Sequence, residues 1–132
     1  MTRSLRSLAV SWGPALLWAA LIFGLSASSH PPGSGLFDRI PAGDKLGHLV
    51  LYSVLGAALA WARRSHFAGA AAPVWIHLAL VLLGALYGLS DEWHQSFVPD
   101  REVSALDWLA DLCGVTLGYA VASAPILDPE SD

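Results

Sequence analysis

Acids and imidazoles recur at helical spacing beside glycines in this chain, and that arrangement is where chemistry could be housed. Asp107, Asp111, Gly114 and Gly118 stand at i, i+4, i+7 and i+11, so on a helix both carboxylates share a stripe with both glycines. Gly84, Gly88, Asp91 or Glu92, and Gln95 repeat the pattern, and Asp44, His48, Tyr52 and Gly56 give a third version. Glu92 with His94 offers a general acid–base pair, or the polar group of Glu92 and Gln95 caps and wets a helix end. His48 and His94 with Asp44, Glu92, Asp107 and Asp111 make an oxygen-and-nitrogen set of the kind that can hold a divalent cation. Their spacing matches no standard zinc motif, so neither metal nor cofactor is expected. Arg101 could clamp a phosphate or carboxylate through its guanidinium, or pair with Asp107. Lys45 could neutralise Asp91 or meet a lipid phosphate. Ser90 and Ser96 lack a His–Asp arrangement and are not read as nucleophiles; His30, His66 and His77 read as ordinary loop or interfacial residues.

The elements that must position these groups are apolar. Residues 8–25, 46–62, 74–90 and 106–124 form four runs, each near the roughly 20 residues that cross a ~30 Å hydrocarbon core. The chain is 55% hydrophobic and only 14% charged, with a mean hydropathy of +0.52. A soluble domain carries about 25% charged residues, so lipid is the better solvent. The expected fold is all-α: an integral membrane bundle of four transmembrane helices spanning 1–124, with 125–132 a disordered acidic tail. Glycines four apart let helices approach in lipid, which makes Gly84, Gly88, Gly114 and Gly118 the packing positions. A carboxylate facing lipid costs about 2.5–3.5 kcal/mol at mid-membrane on insertion scales. The acids should therefore turn inward.

Antiparallel topology gathers them. Of eleven acids, Asp38, Asp44, Asp91, Glu92, Asp100, Glu102, Asp107 and Asp111 belong to the loops or helix ends on one side, and the remaining three to the tail. Arg3, Arg6, Arg63 and Arg64 mark the opposite side against Arg39, Lys45 and Arg101, which places both termini in the cytoplasm. Trp12, Trp61 and Trp75 fall near one interface, Trp93 and Trp108 near the other. Arg3 and Arg6 before an apolar run, with Ser26-Ala27-Ser28 after it, resemble a cleavable signal. The run exceeds the usual ~7–15-residue signal core, and a retained first helix is expected. A net charge of -4 with seven Lys+Arg supplies no basic patch for nucleic acid. Cys113, the single cysteine, reads as a small packing residue beside Gly114.

At these residues the chain resembles the VanZ-like family of small membrane proteins. The matching text is Asp44-Lys45-Leu46-Gly47-His48, Tyr87-Gly88, Asp91 through Arg101, and Asp107 to Gly118. Two departures stand out: many members look to have Gly where Asp100 stands and Asn where Asp111 stands. The resemblance implies a link at the cell envelope to resistance against glycopeptides such as teicoplanin, with no established reaction. The leading expectation is a protein of the cell membrane, non-enzymatic or of an undefined reaction, whose outer-face pocket of Asp44, Lys45, His48, Glu92, His94, Gln95, Arg101, Asp107 and Asp111 meets membrane lipid or a lipid-linked envelope precursor. Two rivals are a membrane-embedded hydrolase or transferase acting on a lipid-linked phosphate, and a structural bundle that binds another membrane protein.

Overall fold

The computed structural model describes residues 5–37, 39–67 and 70–124. Their regular elements are helices: α1 (Leu5–Ser26), the single turn α2 (Ser34–Phe37), α3 (Gly43–Phe67), α4 (Val74–Gln95) and α5 (Ala105–Ser123). Four of them, α1, α3, α4 and α5, are long and apolar enough to cross a membrane. Asp38 and the segment 125–132, read above as a tail, lie outside the described residues.

The helices outrun the apolar stretches that announce them. α3 begins at Gly43 and continues to Phe67, against 46–62, and α4 continues to Gln95 beyond residue 90. Hydropathy stops at the first charged side chains, whereas backbone hydrogen bonding does not. Asp44 sits in the first turn of α3, and Arg64 and His66 in its last, each on the end where the helix dipole favours its sign. At the end of α4, Asp91, Glu92 and Gln95 are buried, so that polar turn packs inside the bundle.

α3 is the central element. It lies closest to α5 and also packs on α1 and α4. The α3–α5 approach depends on absent side chains: a Cβ on Gly118 would collide with the Ser53 carbonyl, one on Gly56 with the Val115 carbonyl, and one on Gly114 would lie 2.5 Å from the Leu49 oxygen. On α4 the glycines make room for side chains instead. A Cβ on Gly84 would meet Val115 Cγ1 at 2.7 Å, and one on Gly88 would meet Asp111 Oδ2 at 2.9 Å.

Aromatic donors tie the remaining seams. Trp18 Nε1 donates to the Leu51 carbonyl at 2.8 Å, Tyr87 Oη to Ala19 at 2.6 Å, and Trp108 Nε1 to Ala85 at 3.0 Å. Interhelical bonds of this kind contribute about 0.6–2 kcal/mol each in a bilayer. Trp108 thus spends its indole N–H inside the bundle and has none left for a headgroup.

The sorting of side chains is inverted relative to a soluble domain. Leu16, Leu17, Leu78, Leu82, Leu117 and Val121 face outward, while Asp91, Glu92, Gln95, Asp107 and Asp111 are buried. Such an apolar exterior is what lipid solvates. The chain is a multi-pass membrane protein. Cys113 is exposed on that exterior and does not pack as the sequence suggests. Gly114 faces α3, and a rotation of ~100° per residue turns its predecessor outward.

Candidate functional site

The C-terminal ends of α1 and α4 meet the N-terminal ends of α3 and α5, and the buried polar residues collect there. α5 contributes Asp107 and Asp111 one turn apart. Asp111 is fully buried, and its Oδ1 lies 2.9 Å from His48 Nδ1 on α3. With a carboxylate as partner, Nδ1 is the protonated nitrogen and donates. The other oxygen of Asp111 is turned toward Gly88 on α4 and has no hydrogen-bond partner. One turn N-terminal, Asp107 Oδ1 pairs with Lys45 Nζ at 3.0 Å, and the same ammonium reaches Asp44 Oδ2 at 2.7 Å.

Glu92 connects α4 to the start of α5. Ser104 is the N-cap of α5, yet its side chain makes no capping bond. Its backbone N–H donates instead to Glu92 Oε2 at 2.9 Å, so a carboxylate from another helix neutralises the positive end of the α5 dipole. Oε1 of Glu92 is buried without a partner. His48, Glu92 and Asp111 together offer one nitrogen and two oxygens that lie within 4.8 Å of one another.

A second polar knot joins α1 to α4. Ser26 Oγ donates to Asp91 Oδ2 at 2.8 Å, and Gln95 Nε2 donates to the same oxygen at 3.1 Å. Tyr52, fully buried on α3, carries a hydroxyl without a hydrogen-bond partner. Above this knot the connector between α1 and α3 folds over the bundle end. Ser29 Oγ donates to the Pro99 carbonyl at 2.7 Å, and Arg101 Nε donates to the Ser28 carbonyl at 3.2 Å. Two non-glycine residues in these loops adopt left-handed backbone, Ala42 at φ 57° and Asp100 at φ 61°. Aspartate accepts that region better than most residues.

Between the connector, α1, α3 and the end of α4 lies a cavity of about 330 Å³. Ile22, Leu25, Phe37, Val50 and Leu51 supply apolar wall, and Ser26, His48, Asp91, Gln95 and Arg101 supply the polar part.

The structure divides the residues singled out by sequence. It brings His48, Glu92 and Asp111 together, sets Lys45 on Asp107, and lines the cavity with Asp44, His48, Gln95 and Arg101. Three expected associations are absent among the described residues. Arg101 does not pair with Asp107, because the 97–103 loop is drawn toward the α1–α3 connector and leaves Asp107 to Lys45. Lys45 does not meet Asp91, which turns toward α1. His94 stands apart from the triad and stacks on Phe23 with ring centroids 4.4 Å apart. It lies two residues beyond Glu92, roughly 200° around α4. His77 is no loop residue: on α4 its Nδ1 lies 3.2 Å from the Tyr119 hydroxyl. Ser90 and Ser96 bond to the carbonyls of Tyr87 and Trp93, one turn back.

Ser26 and Ser104 belong to the site but were not among the sequence candidates; Tyr52 and Asp91 were placed on the inward stripes by their helical spacing without being named as pocket residues. Ser26 and Ser104 are placed by loop paths that periodicity does not reveal.

A family model described as VanZ/LLP1 matches residues 12–127. No curated protein and no solved structure matches the chain.

Proposed function

The chain belongs to the VanZ/LLP1 family, and from that premise we propose that it works at the outer face of the cell membrane by holding an anionic, lipid-linked envelope component in the cavity beside Arg101. In doing so it lowers susceptibility to glycopeptides such as teicoplanin. The observation that carries this reading is the cavity of about 330 Å³ with apolar walls and a guanidinium at its polar end. That volume lies at the lower end of the ~300–1,000 Å³ typical of small-molecule sites. It suits a headgroup and the first part of an acyl or prenyl chain.

The Arg101 guanidinium supports the choice of an anion. Asp107 is paired with Lys45, Asp91 accepts from Ser26 and Gln95, Asp111 from His48, and Glu92 from the Ser104 N–H. Arg101 gives its Nε to the Ser28 carbonyl. Its two terminal nitrogens retain the forked geometry that grips phosphate or carboxylate bidentately.

The test is glycopeptide susceptibility, teicoplanin beside vancomycin, in a sensitive bacterium expressing wild type or Arg101→Gln at matched membrane levels. Wild type is expected to protect, and Arg101→Gln to lose most of that protection while remaining in the membrane. Equal protection by both proteins would remove the Arg101 site from the mechanism, and protection by neither would end the resistance reading.

A further inference from the structure

We propose that His48, Glu92 and Asp111 form a binding site for one divalent transition-metal ion at the junction of α3, α4 and α5. Each residue offers a ligand atom, and the three atoms lie within 4.8 Å of one another. Metal bonds to imidazole nitrogen and carboxylate oxygen run about 2.0–2.2 Å, so three ligands arranged around one ion stand roughly 3.3–3.8 Å apart. Seating an ion takes side-chain motion of up to about an ångström.

Proximity alone would make this an acidic cluster. The stronger sign is that two of its members are incomplete. Asp111 is 0% exposed and Glu92 3% exposed, and each keeps one carboxylate oxygen, Oδ2 and Oε1, without a hydrogen-bond partner. A buried ionised oxygen left bare is costly, and such groups are normally paired or bound to metal. Asp111 already gives Oδ1 to His48, and Glu92 gives Oε2 to Ser104. Each carboxylate is therefore oriented by one oxygen and free at the other, as metal-ligating carboxylates are when neighbouring donors hold them.

The charge count points the same way. Asp91, Glu92, Asp107 and Asp111 are buried at this end of the bundle, and among the described residues the Lys45 ammonium is the cation paired into it. A dication offsets much of the excess. One imidazole with two carboxylates selects for zinc, manganese(II) or iron(II) over calcium or magnesium, which prefer all-oxygen sets. The site runs counter to the sequence expectation of no metal. Its ligands come from three helices with no fixed spacing, which is why no motif announced it.

This inference is independent of what fills the cavity, and it is tested without any amphiphile. Full-length protein is purified in detergent through a tag without histidines, its metal content is measured by elemental mass spectrometry, and metal-depleted protein is titrated with zinc chloride and, separately, manganese chloride. Wild type is expected to carry or take up about one equivalent and to melt at a higher temperature when loaded. Glu92→Gln and His48→Gln are expected to bind at least tenfold more weakly, and Glu102→Gln, at an exposed loop acid, to bind as wild type does. Should one variant fail to fold, the other and the wild-type titration still decide. Wild type that takes up less than about a tenth of an equivalent of either metal, or glutamine variants that bind as tightly as wild type, would overturn the proposal.

Discussion

Asp111 is the least exposed carboxylate among the described residues. One oxygen accepts from His48 and the other lies against the Gly88 backbone on a third helix. Replacing it by alanine leaves the buried His48 Nδ1–H without its acceptor and opens a void. A lost buried partner together with a void costs about 2–5 kcal/mol. Asp111→Ala should therefore lower the melting temperature of the detergent-solubilised protein sharply. Asp111→Asn keeps an acceptor for His48 in the same space and should cost only about 1 kcal/mol. An equally large loss for asparagine would show that the carboxylate charge, rather than the hydrogen bond, holds His48. Much of this residue's role is legible in sequence, since Asp107 and Asp111 share a face with Gly114 and Gly118. Its partner is not legible. A heptad-like stripe tells which way a side chain turns, but not which residue of a neighbouring helix lies at the same height.

At the scale of the helices, the α3–α5 contact is the most constrained. A methyl at position 118 meets the Ser53 carbonyl, and one at 114 meets the Leu49 carbonyl and Ser53 nitrogen; neither neighbour is a side chain that can rotate away. Gly118→Ala should cost about 1–3 kcal/mol or more by forcing the backbones apart. Arg101→Ala, which loses one bond to a loop carbonyl, should cost less than about 1.5 kcal/mol. Thermal unfolding of both variants in one detergent decides the order, and the reverse ranking would mean that the bundle is held by its loops and not by its glycine seam. The number and type of the spans follow from apolar runs that lipid must solvate. Their ends follow from something else. α4 reaches Gln95 because Asp91, Glu92 and Gln95 are buried by α1 and α5, and no single helix reveals what its neighbours will cover. The ion pairs were misassigned for the same reason. Whether Arg101 or Lys45 faces Asp107 depends on the course of the connectors, which carry no periodicity to read.

For the molecule as a whole, everything proposed for the cavity depends on which side of the membrane it opens. Arg63 and Arg64 close α3 at the end opposite the cavity, and Arg64 Nη1 donates to the Ala122 carbonyl at 2.8 Å near the end of α5. Their charge is thus held at the membrane surface beside the C-terminal end of α5. With Arg6 near the start of α1 on the same side, the positive-inside rule predicts that this side is cytoplasmic and that the cavity opens to the exterior. Cys113 faces lipid and can be replaced by serine to give a cysteine-free background. Gly35 and Ala70 are exposed in the connectors at the two ends, and a Cβ at position 35 meets nothing within 4 Å. In spheroplasts, a membrane-impermeant maleimide should label Gly35→Cys directly and Ala70→Cys only after permeabilisation. The opposite pattern would put Arg101 and its cavity on the cytoplasmic face, where an externally acting glycopeptide or an exported precursor could not be the direct occupant. A pocket accessible from outside instead places the headgroup of an outer-leaflet lipid within reach of the guanidinium, with its chain leaving along the apolar wall of α1 and α3.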